Sequence, residues 1–257
     1  MELLLFQLQA PLASWGEPAV GEFRGTAEYP SLSALLGLLG AALGVRRDDE
    51  AGQAALRDGY RFAIGVQSVG ELLRDYHTAQ VPPRTALKKR PHTTRRDELR
   101  VPKPELATIL STRDYRQDAA CLVAVQARDG APHTLAQLAD ALRQPRWMLW
   151  LGRKSCPPAA PLWPRIMEST SLRQAFEQYL TDLEAALRKA MGDHAPPDGE
   201  PLPDAPARVQ RIAFEDGMDA TLQPDLSTVR KDRLIRRRGW QFGDRIEHLV
   251  FLETEAP

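Results

Sequence analysis

Residues 31–44 read SLSALLGLLGAALG, a helix built almost wholly from leucine, alanine and glycine. Its limits are set locally. Tyr29-Pro30 halts what precedes it, because proline biases its predecessor towards extended geometry. Ser31 or Ser33 can then accept a hydrogen bond from an unpaired amide of the first turn, and Gly44 is placed to end the helix in left-handed geometry. Each interior glycine costs about 1 kcal/mol relative to alanine, so Gly37 and Gly40 predict close approach of another backbone. The apolar run falls short of the roughly 20 residues a membrane span needs. A buried helix over about residues 33–45 is the expectation.

Strands and helices alternate around it. The start, MELLLFQLQAPL, is first continuously apolar and then alternating, which gives a strand over residues 3–9. It carries Glu2 and no basic n-region, so it does not read as a secretory signal. Residues 60–69 (YRFAIGVQSV) alternate and form a second strand, and residues 119–127 (AACLVAVQA) a buried one. Thr134 caps a helix with Leu135, Leu138, Ala139 and Leu142 on one face, and Pro145 ends it. Residues 147–151 are expected as a further short strand. Strand, helix, strand, long arm, strand, helix, strand is the order of a split βαβ, or ferredoxin-like (RRM-like), α+β unit. Fold alone does not fix function.

A second region follows. Ser171 and Gln174 have capping-box spacing before a helix over residues 171–191, with Leu172, Phe176, Leu180, Leu183, Leu187 and Met191 on one stripe. Gly192 closes it, residues 195–206 form a Pro-rich linker, and residues 208–214 and 246–252 read as closing strands. The expected division is therefore residues 1–164 and an extended α/β region over 165–257. At 257 residues the chain can bury a sizeable core.

The formal net charge is zero, but its distribution is uneven. Over residues 74–116 basic residues outnumber acidic ones about two to one. Five prolines interrupt this segment, and a long irregular connection inside a domain tends to be functional; a protruding arm is expected. A second basic run spans residues 230–238. Local basic tracts on a neutral chain point to a defined nucleic-acid path, with solvated surface as the plain alternative. Cys121 and Cys156 lack CxxC spacing, which fits a reducing, cytoplasmic setting.

The turn Gly152-Arg153-Lys154-Ser155 ends like a phosphate-binding loop, but the earlier glycine that the motif needs is missing from the residues before it, so nucleotide hydrolysis is rejected. Its amides, with Arg153 and Lys154, can still hold a phosphate. Tyr76-His77 with a lysine such as Lys88 could cleave RNA without metal, His77 acting as general base and the lysine steadying phosphate charge; the plainer reading is a packed aromatic pair. His92, His133, His194 and His248 lack metal-motif spacing, so neither a metal nor another cofactor is expected. Trp147, Trp150 and Trp163 read as core, and Trp15 sits in a loop beside Gly16.

Five segments together carry a resemblance: Ala13-Ser14-Trp15-Gly16; Tyr29-Pro30-Ser31 with Leu35-Leu36-Gly37-Leu38-Leu39-Gly40; Arg46-Arg47-Asp48-Asp49; Arg74-Asp75-Tyr76-His77-Thr78; and residues 151–157, LGRKSCP. On these the chain resembles the Cas-five family of the type I-E CRISPR surveillance complex, Cascade. The resemblance implies a ferredoxin-like RNA-binding domain over residues 1–164 with a basic thumb hairpin at about 72–116. It implies a non-catalytic subunit that anchors the 5′ handle of the guide CRISPR RNA and touches the backbone and large subunits. Target DNA is met only through the complex, and no membrane is involved. In another subtype the Cas-five protein itself cuts the repeat RNA, so a metal-independent endoribonuclease is the alternative. The C-terminal helix and linker look like an expansion beyond the usual pattern. The expected phosphate sites are the loop with Arg24, the helix start at Ser31 and Ser33, and the Arg153-Lys154 turn. Lys88, Lys89, Arg90, Arg95 and Arg96 would track backbone along the arm. Trp15, Arg46, Arg47, Tyr76, His77, Arg113 and Ser155 complete the expected RNA contacts.

Overall fold

β1 (Glu2–Gln9) explains the layering of the molecule. Its continuous apolar run is needed because both of its faces are covered. Leu4, Phe6 and Leu8 enter one hydrophobic cluster, while Leu3 and Leu5 enter another on the opposite side. The structure, a computed structural model, describes residues 1–16, 21–88, 90, 92–197, 200–203, 205–237 and 239–252. Lys89 and Arg238 lie outside the described residues.

After β1 come two short strands, β2 (Leu12–Ala13) and β3 (Phe23–Arg24), then α1 (Leu32–Leu43), α2 (Glu50–Gly59) and β4 (Tyr60–Ser68). A long antiparallel pair follows, β5 (Glu71–Val81) and β6 (Ala107–Gln117), in register from Glu71 opposite Gln117 to Val81 opposite Ala107. Between them lie the single turns α3 (Arg84–Leu87) and α4 (Arg95–Glu98). The chain continues through β7 (Ala120–Ala127), α5 (Leu135–Arg143), β8 (Arg165–Glu168) and α6 (Leu172–Met191). It closes with β9 (Arg211–Glu215), β10 (Leu226–Arg236) and β11 (Gln241–Phe251). Among the described residues no helix is long and apolar enough to cross a membrane.

The main sheet has seven strands in the order β10-β11-β9-β4-β7-β1-β8, each neighbour antiparallel. This is a mixed α/β chain whose strand pairs are antiparallel except β3, which runs parallel to β6. On one face, α1 and α5 pack Leu35, Leu36, Leu39, Leu138 and Leu142 against Phe6, Phe62, Ile64 and Val123. On the other, α6 packs Leu172, Phe176, Tyr179 and Leu183 against Leu3, Leu5, Leu122 and Ile212. Each of these large side chains contributes about 1.5–3 kcal/mol by leaving water. The N-terminal part of the α6 stripe, Leu172 to Leu183, is thus spent on its own sheet, while Leu187 stays exposed. A second sheet gathers β2, β3 and β5 around β6.

Caps form where the sequence places them. Ser31 accepts from Ala34 N at 3.2 Å, Gly44 takes φ 78°, and Thr134 and Gln137 complete a capping box. Ser171 accepts from Gln174 N, but the Gln174 side chain reaches past it to Thr170, so that box stays half made. Three expectations need correction. Residues 147–151 form no strand; the strand beyond β1 is β8, and 147–151 run as a loop over the end of α1. α2 and β10 were not foreseen. Nor does a backbone press on the α1 glycines: a Cβ on Gly37 would lie 3.3 Å from Arg237 Nη2, and one on Gly40 3.5 Å from Gln53 Nε2. Side chains from later in the chain use that space.

Candidate nucleic-acid interface

The two motifs that flank the glycine-rich helix in sequence meet in space. Ser14 N donates to Leu151 O at 3.0 Å, and Gly152 sits so close beneath Ser14 that a Cβ there would come within 1.7 Å of Ser14 O. Ser14 Oγ and Arg153 Nη1 both donate to Asp114 O, at 3.0 and 3.2 Å. Arg153 Nη2 donates to Arg24 O at 3.0 Å, and the guanidinium lies 4.7 Å from the centre of the Tyr115 ring. Arg153 therefore stitches the 151–157 turn to β3 and β6. Both of its hydrogen-bond acceptors are carbonyls, and among the described residues no carboxylate pairs with its charge.

Beside this junction is a groove of about 440 Å³. Its floor is the small-residue face of α1, with Ser31, Ser33, Ala34 and Gly37; its rim includes Arg47, Trp147, Trp150 and Arg153. Arg237 and Trp240, from the end of β10 and the turn after it, complete the lining. No carboxylate is among the described lining residues. An open cavity of about 850 Å³ adjoins it, sharing Arg47, Trp147 and Arg237 and adding Arg46, Asp48 and Glu50. Arg46 is ion-paired with Asp48 at 3.0 Å in full solvent, which contributes little to stability. Three arginines, half-exposed indoles and a cradle of small side chains can hold single-stranded nucleic acid by phosphate contact and stacking.

The start of α1 is anchored from the far end of the chain. Leu32 N donates to Asp232 Oδ2 at 2.9 Å, and Asp232 accepts from Arg245 at 2.6 and 3.0 Å. Arg245 and Arg230 also bind Glu247, which accepts from Tyr29 Oη at 2.8 Å. Burial opposes charge on Asp232, but the Arg245 hydrogen bond, both arginine charges and the Leu32 amide outweigh it and hold the carboxyl below its usual range. Tyr29, mainly by burial and then by Glu247, is pushed up to about 12. The amide site foreseen at Ser31 and Ser33 is thus taken in part by the protein's own carboxylate. Both hydroxyls still line the groove, 3.0 Å apart.

A family profile described as CRISPR-associated protein (Cas_Cas5) matches residues 3–219. The chain belongs to the Cas5 family. It is 34% identical over 186 residues to the "CRISPR system Cascade subunit CasD" of Escherichia coli (strain K12), covering 68% of this chain and 76% of that protein. It is similar to a chain of a "CRISPR RNA-guided surveillance complex", with TM-score 0.63 and 26% identity over 98% of this chain and 90% of the other. A "Crystal structure of Cas protein" shares the fold, with TM-score 0.58 and 24% identity over 98% and 96% of the two chains.

Within this Cas5 chain the other expected contacts divide. Lys154 and Ser155 are exposed on the 151–157 turn, with Lys154 Nζ 5.6 Å from the Trp150 ring centre. Trp15 is only 4% exposed and packs in the core, so its ring is not open to a base. Arg24 and Arg113 are exposed and lie in register on β3 and β6. On β5, Tyr76 is 62% exposed, while His77 Nε2 shares a hydrogen bond with Asp75 Oδ2 two residues away. Strand alternation puts Tyr76 and His77 on opposite faces. Lys88, Arg90 and Arg96 are exposed in the connection between β5 and β6, and Arg95 is paired with Glu98 at 2.7 Å. None of these arm residues lines the groove.

Trp147 and Trp150 were expected in the core rather than at a groove, Arg237 was expected only as part of the basic tract 230–238, and Trp240 was not foreseen. A tryptophan pair directly before a basic turn was the available signal for the first two. For Arg237 the basic tract was a signal without a position, and for Trp240 there was none, because their placement depends on strand register 200 residues from α1.

Burial raises Glu215 to about 7, with the Arg245 charge and the hydrogen bond from Phe62 N at 2.9 Å opposing it. The native state therefore binds an extra proton between the unfolded value near 4.3 and about 7, and stability falls as pH rises through that window, by up to about 3 kcal/mol. Glu215→Gln, which keeps an acceptor for Phe62 N, is expected to raise the melting temperature by several degrees at pH 8 and to leave it nearly unchanged at pH 5. Differential scanning calorimetry at the two pH values checks this.

Proposed function

We propose that this chain is the guide-RNA-binding Cas5 subunit of a type I-E Cascade complex, holding the 5′ handle of the CRISPR RNA and contacting the backbone and large subunits. The observation that carries this reading is the groove. Residues of the family-like segments 13–16, 29–40, 46–49 and 151–157, together with three arginines and two half-exposed indoles, surround one space with no carboxylate among the described lining residues. Relatedness to CasD and to a surveillance-complex chain supplies the partner class. We read β1, α1, β4, β7, α5 and β8 as the ferredoxin-like unit, supported by the strand order β4-β7-β1-β8. The β5–β6 pair is read as the thumb, its exposed cations tracking RNA backbone outside the groove. The region beyond residue 164 then closes that unit with β8, extends its sheet with β9, β11 and β10, and lends Arg237 and Trp240 to the groove.

The subunit's role in this reading is structural and non-catalytic. Supporting this over the nuclease alternative, Tyr76 and His77 diverge on β5 and the nearest partner of His77 is a carboxylate. The test is to co-express the chain with its partner subunits, the separate nuclease and a repeat–spacer transcript, purify through a tag on this chain, and sequence the RNA recovered. The expected result is a uniform guide with one repeat-derived 5′ end, seen only when the nuclease is present. Absence of enriched RNA contradicts the reading, and uniform guides without the nuclease transfer catalysis to this chain. Arg47→Ala is expected to retain less guide, with the salt dependence of binding shallower by about 0.7 in log–log slope.

A further inference from the structure

The family profile ends at residue 219, yet the groove is completed by residues beyond it. β10 and β11 are firmly docked: Arg57 Nη1 donates to the carbonyls of Leu234 and Ile235, each at 3.1 Å, and Arg237 N donates to Glu50 at 3.4 Å. This docking carries Arg237 across α1 at Gly37, where only a glycine leaves it room without displacement. Arg237 then lies 5.6 Å from the centre of the Trp240 ring, and Arg47, from the other side of the groove, 5.3 Å from the same ring. Trp240 nevertheless keeps 54% of its surface exposed.

The charges here are incompletely matched. Arg237 Nε is buried with no hydrogen-bond partner among the described residues, a state that costs about 1–3 kcal/mol unless something fills it. Burial and the Arg47 charge both draw Arg237 below the ordinary arginine range, and only Glu50 opposes them. An anion between Arg47 and Arg237 would relieve both defects, and a flat apolar group can occupy the open part of the indole. One nucleotide of a single strand supplies both.

Resting on the RNA-binding reading above, we infer that the β10–β11 turn forms a nucleotide slot, in which a base of single-stranded RNA stacks on Trp240 while its phosphate lies between Arg47 and Arg237. The slot is a part of the interface supplied by the C-terminal strands, and it reads stacking rather than base identity.

Fluorescence anisotropy of the full chain with a fluorescein-labelled 10-nucleotide single-stranded repeat-derived RNA tests it. Trp240→Ala is expected to weaken binding by about 5- to 150-fold, the range for loss of one stacked base, and Trp240→Phe to retain most of the affinity. Near-wild-type melting of both variants confirms that the turn residue acts on binding. Arg237→Ala is expected to make the salt dependence shallower by about 0.7. Wild-type affinity in Trp240→Ala, with RNA bound by the unaltered chain, overturns the slot alone. Absence of RNA binding by the unaltered chain, or equal binding of duplex DNA, overturns the slot together with the reading it rests on.

Discussion

Gly152→Ala is expected to destabilise the protein by about 4 kcal/mol or more, a loss reserved for a few mechanisms. Two of them act here at once. Gly152 has φ 88°, a left-handed geometry that costs a residue with a Cβ about 1–2 kcal/mol. The added Cβ would also stand 1.7 Å from Ser14 O and 2.7 Å from Ser14 C. These are backbone atoms that cannot rotate away, so the turn must leave β2 and break the Ser14–Leu151 hydrogen bond. Gly130→Ala separates the two terms. Gly130 has nearly the same backbone, φ 80°, but nothing lies within 4 Å of its Cβ position. Its variant is expected to lose only the 1–2 kcal/mol of backbone strain. Thermal melts of the two variants should differ by roughly 4–12 °C, taking 2–4 °C per kcal/mol for a chain of this size. Equal melting temperatures would show that the 151–157 turn is not pinned beneath Ser14.

Asp232→Ala is expected to cost about 3–5 kcal/mol, the usual consequence of breaking a buried ionic network from one side. The residue is 6% exposed and serves Leu32 N and Arg245, with Arg230 3.6 Å away. Its removal leaves the two arginine charges with Glu247 as their shared carboxylate and orphans the first amide of α1. Because α1 floors the groove, loss of RNA retention should accompany the loss of stability. The same network predicts acid sensitivity. The carboxyl is depressed in the folded state, so its contribution is complete above an unfolded value near 3.9 and disappears as pH falls below it. Asp232→Asn keeps an acceptor for Leu32 N and should fall between the wild type and the alanine variant in urea melts.

The sequence was most legible where periodicity and packing agree. The apolar run of β1, the caps of α1 and α5 and the stripe of α6 all answer to local rules, and each is found within a few residues of its expected place. α2 escaped because its sequence, EAGQAALRDG, holds two glycines and buries only Gln53, Leu56 and Gly59. β10 escaped for a more informative reason. Arg230 and Asp232 occupy positions turned towards the interior, where an alternating strand would ordinarily carry apolar residues, and ion pairs satisfy them. Residues 147–151 erred the other way, since an apolar run that resembles a strand serves instead as groove lining. At the site, residues 151–157 and the start of α1 were legible because glycine, serine and arginine cluster there. What could not be read was occupancy. Arg153 proves to be tied to two carbonyls, Asp232 partly fills the helix start, and Arg237 and Trp240 come from the far end of the chain.

Cross-linking from the guide itself tests the central claim most directly. Complexes would be assembled on a CRISPR RNA carrying 4-thiouridine at successive positions of its 5′ handle, irradiated and digested, and the attached peptides identified by mass spectrometry. The account predicts adducts in residues 14–16, 31–47 and 147–154 of this chain. Handle adducts found only on neighbouring subunits, or on the α6 side of the main sheet, would contradict it.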